Sequence, residues 1–238
     1  MHLRFGFAAA ALAAIFALPT AAQDMERIIV TANRIDTDDM RAAPAVYRQI
    51  PADFVLVSVS YQSATRDTGE RRKELETMFN RLKARAAKTD GFSLSGGTVG
   101  ESTADIDTVL FGDVYSADYS GTGRFTLTLN IDTRKDESFE ALMKRAEAFV
   151  DSVEITGRAE AYMGDEQFIG ARDVAKHRAD LMTDIATEVS NWRGKFGGLT
   201  GTKVVLTGLE SRIVTQPSGP LELEIFIPYT LTLEAGSD

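Results

Sequence analysis

From Asp53 onward, apolar and polar positions alternate. Val55, Val57, Val59 and Tyr61 form one apolar face, while Phe54, Leu56, Ser58 and Ser60 form a second that turns polar towards its end. A period of two predicts a strand, and the regular core of the chain begins there. The period then changes. Asp67 stands three residues before Glu70, a capping-box-like start, and Leu75, Met78, Phe79, Leu82 and Ala86 follow at helical spacing. This predicts a helix over 68–88 with one apolar stripe, its Arg71, Arg72, Lys73, Glu76 and Arg81 largely elsewhere on the surface. Such a helix is expected to lie on a sheet.

Gly91, Gly96, Gly97 and Gly100 punctuate a loop or short-strand region. Residues 108–114 and 124–131 are the next strand candidates, joined as a hairpin through the turn residues Ser120, Gly121, Thr122 and Gly123; Phe125, Leu127 and Leu129 give an alternating face. A second helix starts near Asp136 or Ser138 and carries Phe139, Leu142, Met143, Ala146, Phe149 and Val150 on one stripe. Residues 153–162 read as a strand with a glycine irregularity at Gly157. The third helix is expected to be the longest, over 165–192, with Val174, Leu181, Ile185, Val189 and Trp192 on its stripe and Gly194, Gly197 and Gly198 at its end. Then come a short strand at 202–206, a turn at 216–220 and a long strand at 221–233, which Pro228 places at an edge or a bulge because proline has no N–H to donate.

Before this core, 26–35 carries a short β-rich centre of Ile28, Ile29, Val30 and Thr31, followed by a polar connector with Asp36, Asp38, Asp39 and Pro44. The whole order predicts an α+β fold: an antiparallel or mixed sheet covered by three amphipathic helices, with a two-fold strand–helix–strand duplication suggested by the two similar units.

Three stretches resemble the SIMPL-domain family, exported proteins related to the immunogenic periplasmic proteins of Gram-negative bacteria. Pro51 to Val59 with the helix carrying Leu75 and Leu82 is similar to the family's entry strand and alanine-rich first helix. Arg124 to Ile131 with Phe139 to Met143 is similar to its central strand and following helix. Ala171 to Asp180, then 202–206 and Leu223 to Ile227, resemble its third helix and closing strands. The resemblance covers 26–234. It implies a periplasmic, oligomeric α/β protein without an established catalytic centre, with relatives linked to ring-shaped assembly and stress tolerance. The segment 26–35 departs from the family's glycine-rich first strand and also resembles the plug start of TonB-dependent receptors, whose membrane barrel the rest of this chain cannot supply.

The first residues set the compartment. Arg4, an apolar alanine-rich run over 5–18 and the small residues Thr20, Ala21 and Ala22 form a signal peptide over 1–22, with Gln23 as the expected first mature residue. The apolar run is shorter than the ~20 residues of a permanent span. The expected organisation is therefore a signal peptide (1–22), an N-terminal strand and polar connector (23–50) and a SIMPL-like α+β domain (51–238), in a soluble exported protein. With no cysteine the chain has no lipidated N-terminal Cys, no disulfide and no thiolate metal site. The formal net charge of −9 argues against nucleic acid and against anionic lipid surfaces, both of which call for clustered Lys and Arg.

Candidate chemistry is sparse. His177 is the only histidine left after the signal, and Asp173 and Glu166 are potential orienting carboxylates if all three share a helix, but no nucleophile motif accompanies them. An ordinary helix histidine is the preferred reading, with a proton switch behind it. Asp36, Asp38 and Asp39 lack the glycine and distant glutamate of an EF-hand, and Arg41 stands where the glycine belongs. The clusters Gly96, Gly97, Gly100 and Gly194, Gly197, Gly198, Gly201 lack the lysine and hydroxyl ending of a phosphate loop. Gly91 to Gly96 misses a nucleophile elbow, having Ser95 where the second glycine belongs. Trp192 is expected either to cap the core or to anchor a subunit contact.

The sequence therefore predicts no catalytic, cofactor-binding or metal-binding residue and no cofactor. It points to a non-enzymatic periplasmic protein that works by homo-oligomeric assembly or by binding another envelope component. An exported hydrolase or metal-dependent enzyme with dispersed Asp, Glu and Ser residues, and a periplasmic small-ligand carrier, are the alternatives.

Overall fold

The computed structural model describes residues 28–31, 45–97, 99, 104–119, 121–196 and 203–234. The signal segment, the polar connector with Asp36, Asp38 and Asp39, and Gly100, Gly197, Gly198 and Gly201 lie outside them. The fold is α+β. Strand β1 (Ile28–Thr31) and β2 (Arg48–Pro51) precede the alternating strand β3 (Phe54–Ser63), and helix α1 (Thr68–Ala86) leads to β4 (Phe92–Gly96) and β5 (Ala104–Asp105). A single helical turn α2 (Phe111–Val114) runs into β6 (Tyr115–Ala117), and β7 (Gly123–Asp132) follows. Helix α3 (Phe139–Asp151) precedes β8 (Ala159–Ala171), and a 3-10 turn (Val174–His177) enters α4 (Arg178–Phe196). The chain closes with β9 (Lys203–Thr207), β10 (Val214–Gly219), β11 (Glu222–Phe226) and β12 (Thr230–Glu234).

All strand pairs are antiparallel, in three sheets. The main sheet has the order β1-β8-β3-β7-β4-β5, with β6 also on β7; β10-β11-β2 form a second sheet, and β12-β9 a two-stranded ribbon. Alternation in β3 and β7 meets rung for rung: Val55 faces Ile131, Val57 Leu129, Val59 Leu127 and Tyr61 Phe125, and all eight are fully buried. Helices α1 and α3 cover this face with Leu75, Met78, Phe79 and Leu82, and with Leu142, Ala146, Phe149 and Val150. Leu181 and Ile185 of α4 and Leu223 and Ile225 of β11 extend the same core.

The helix starts follow their caps. Asp67 accepts a hydrogen bond from the Glu70 N–H at 2.8 Å, and Ser138 accepts one from Ala141 at 3.2 Å, each satisfying a donor that the first turn leaves free. Among the described residues no helix is long and apolar enough to cross a membrane.

Several expectations are corrected. The third helix begins at Arg178, not near 165, because Gln167, Ile169 and Ala171 alternate inward as strand residues of β8 and Asp173, at φ +52°, turns the chain out of the strand. The strand expected from 153 begins only at Ala159, since Gly157 at φ +59° forms the preceding turn. Residues 108–114 are not a strand: the Asp113 carboxylate accepts from the Leu110 N–H at 2.9 Å and closes the turn of α2, so the hairpin is the shorter pair of β6 with the start of β7. Pro228 interrupts the strand expected over 221–233, dividing it into β11 and β12 in different sheets, and β10 runs through the expected turn at 216–220. Arg71 is buried, its guanidinium donating to the Thr65 carbonyl at 2.8 Å.

Candidate functional site

The face of the main sheet opposite α1 and α3 is polar at one end. Residues opposite one another across strands share a face, so Ser116, Arg124, Gln62 and Glu160 make one rung across β6-β7-β3-β8, and Thr126, Ser60 and Tyr162 make the next. This is the second face of β3 that the sequence shows turning polar. Gln62 Nε2 donates to the Tyr162 hydroxyl at 2.8 Å, and that hydroxyl donates in turn to Glu160. The bond to Glu160 holds the Tyr162 phenol above its ordinary pKa, because ionisation would set two negative oxygens against each other. Ser60 and Thr126 hydroxyls share a bond of 2.7 Å.

At the end of the β3–β8 pair lies an open pocket of about 250 Å³ lined by Gln62, Ala64, Arg158, Ala159 and Glu160. One wall is fixed from behind by Glu74 of α1. Its carboxylate accepts from Ser63 Oγ at 2.7 Å, from Thr65 Oγ1 at 2.8 and 3.0 Å, and from the Arg158 N–H at 3.4 Å. Partial burial pushes the Glu74 carboxyl up, but these donors together outweigh it and hold the group below the usual range. Gly157 makes the close approach feasible: a Cβ there would stand 2.0 Å from a Glu74 oxygen. Arg81 ties down the same loop by donating to the Glu154 carbonyl at 2.6 Å.

Further along the same face, Thr128, Asn130 and Ser95 are buried, and among the described residues neither their hydroxyls nor the Asn130 amide has a hydrogen-bond partner. They are neighbours in register, Ser95 opposite Thr128 and Ser93 opposite Asn130. Across β3, Ser58 faces a bulge, because Val57 pairs with Gln167 and Val59 with Met163. Gly164 lets Ser58 Oγ sit close in that bulge, where a Cβ would lie 2.1 Å from it.

The sequence candidates are not brought together. His177 ends the 3-10 turn, half-buried and without a hydrogen bond or ion pair among the described residues, whereas Glu166 is exposed on β8 and Asp173 is exposed between the two elements. Phe92 to Gly96, the near-elbow, is a strand of the main sheet. Trp192 is half-buried near the end of α4 and donates from Nε1 to Glu188 at 2.6 Å. Among the described residues there is no group of three or more His, Cys, Asp or Glu that could hold a metal ion.

No protein-family model, curated protein or solved structure matches this chain. Sequence reading singled out none of Gln62, Arg158, Glu160 and Tyr162, although a signal exists: polar Arg158, Glu160 and Tyr162 alternate with Ala159 and Ala161, the pattern of a strand with one wet face.

Apart from this face, β2 is joined to α4 by Arg48, whose Nε donates to Asp184 at 2.6 Å and whose Nη1 donates to Asp180 at 2.9 Å. After α4 the chain enters β9, which forms a ribbon with β12. No other strand of the described residues pairs with either of its edges, and Val204, Val205, Leu206 and Leu231 on it are only half-buried.

Proposed function

We propose that this is a SIMPL-like exported protein of the periplasm that works without catalysis, by assembling with further copies of itself and, as an assembly, serving the cell envelope. The observation that carries this reading is the β9–β12 ribbon. A lone two-stranded pair is marginal in water at best, and an edge of unpaired backbone groups is a template for another strand. Leu206 faces Leu231 on one side of the ribbon, and both stay half-buried although Leu206 touches the core. A second copy adding its own ribbon about a two-fold axis pairs an edge with its equivalent and covers the remaining apolar surface.

The leader over 1–22, the absence of cysteine and the order of strands and helices support export and the SIMPL resemblance. The two strand–helix–strand units, β3-α1-β4 and β7-α3-β8, support the duplication, since each places its helix on the same face of the sheet.

Light scattering on the exported, processed chain at micromolar concentration tests the proposal. The expected mass is a multiple of one chain, and Thr232→Lys, which puts a charge on an exposed position of β12, is expected to shift the population towards single chains. A strict monomer for the unaltered protein contradicts it.

A further inference from the structure

We propose that the pocket at the end of the β3–β8 pair binds a small zwitterion, of the class of free α-amino acids. Its lining carries one cation and one anion, Arg158 and Glu160, together with Gln62, which stands opposite Glu160, and the small residues Ala64 and Ala159. A purely anionic ligand would meet Glu160, with Glu74 close behind; a purely cationic one would meet Arg158. A molecule that presents a carboxylate and an ammonium together satisfies both.

The hydrogen-bonding capacity for this is unspent. Among the described residues the Arg158 guanidinium makes no hydrogen bond; Glu74 lies near enough to feel its charge, but that carboxylate is already engaged by Ser63, Thr65 and the Arg158 backbone. The guanidinium fork is thus available to a carboxylate, which it matches with two parallel donors. Glu160 receives the Tyr162 hydroxyl and keeps acceptor capacity for an ammonium, and Gln62, whose Nε2 is used on Tyr162, offers its oxygen.

The wall is preorganised as well. Glu74, Gly157 and Arg81 fix the backbone of the loop that carries Arg158, and the Gln62–Tyr162–Glu160 chain fixes the opposite side, so the ordering cost of binding falls mainly on the Arg158 side chain. Size sets the class: about 250 Å³ lies under the ~300–1,000 Å³ of pockets for drug-sized ligands, and the small Ala64 leaves room for a short aliphatic side chain.

The test is ligand-observed NMR on the exported chain with glycine, L-alanine, L-serine and L-leucine, alongside N-acetyl-L-alanine and L-alaninamide. Saturable binding of at least one free amino acid is expected, weakened tenfold or more by Arg158→Gln and by Glu160→Gln. Blocking the amine is expected to weaken binding to the unaltered protein and to leave little further effect for Glu160→Gln; blocking the carboxylate does the same for Arg158→Gln. Both side chains are exposed, so circular dichroism is expected to show the same fold in each variant. The proposal is overturned by the absence of saturable binding at millimolar concentration, by equal binding of the blocked compounds, or by variants that bind as the unaltered protein does. Assembly is read separately by light scattering, so either proposal can fail alone.

Discussion

Glu74 and Gly157 are a matched pair. The carboxylate occupies the volume a side chain at 157 would need, and the glycine sits at φ +59°, where other residues are strained by ~1–2 kcal/mol. Gly157→Ala therefore meets two costs, the backbone conformation and the displacement of Glu74 from Ser63 and Thr65, whose hydrogen bonds are worth ~1 kcal/mol each. Urea unfolding is expected to show a loss of ~2–3 kcal/mol, falling to the backbone part alone when Glu74→Ala is already present. Equal losses in both backgrounds would show that the two residues act independently. Neither half of this pair was legible in the letters: Gly157 reads as an irregularity in a strand, and Glu74 as one more polar residue of a helix, because their contact joins positions far apart in sequence. Tyr61 was legible only as a member of an apolar face; its hydroxyl is buried without a partner among the described residues, and burial first, with Asp151 adding to it, pushes its pKa up to about 12.

Elements whose pattern is local were readable, and those set by distant partners were not. The stripe of α1 and the alternation within β3 and within β7 follow from periodicity, whereas the pairing of the two strands does not, and Asp67 and Ser138 mark their helix starts by chemistry that needs only three neighbouring residues. The residues that became β8 defeated the same logic. Val174 lies seven residues before Leu181, which suggests a helix running back through 165–173, while the opposing alternation of Gln167, Ile169 and Ala171 has force only once β3 and β1 lie on either side of it. The entry to α3 shows a tertiary lock of this kind. Arg145 donates to both oxygens of Glu137, at 2.9 and 2.7 Å, and to the carbonyl of Asp132 at 2.7 Å, fastening the helix to the end of β7. The hydrogen bonds from Arg145 hold the Glu137 carboxyl below its ordinary range against partial burial. A depressed folded pKa stabilises fully above the unfolded value, about 4.3, and that contribution is lost as pH falls through the folded value. Glu137→Gln is expected to cost ~1–3 kcal/mol near neutral pH, with the gap to the unaltered protein closing as urea titrations move below about pH 4. Curves that stay parallel down to pH 3 would remove Glu137 from the acid response.

At the scale of the molecule, one sheet has a dry face under helices and a face that goes from buried to wet along its length, and the β9–β12 ribbon pairs with no other strand among the described residues. The sequence placed Pro228 at an edge or bulge; the fold makes it the break that releases β12 from β11 into that ribbon. The same position was legible and its consequence was not, because a proline reports the missing donor but not which sheet each flank joins. Assembly through the ribbon makes a direct statement about backbone groups: those that a lone pair leaves to water become bonded when a second copy arrives. Amide hydrogen exchange at Val204, Val205, Leu206, Leu231 and Thr232, measured at nanomolar and at high micromolar concentration, reads this at the strands themselves. The account predicts that the amides not used within the ribbon become protected as concentration rises, at least tenfold, and that Thr232→Lys abolishes the change. Rapid exchange of those amides at every concentration, with protection confined to the β9–β12 pairs, would contradict it.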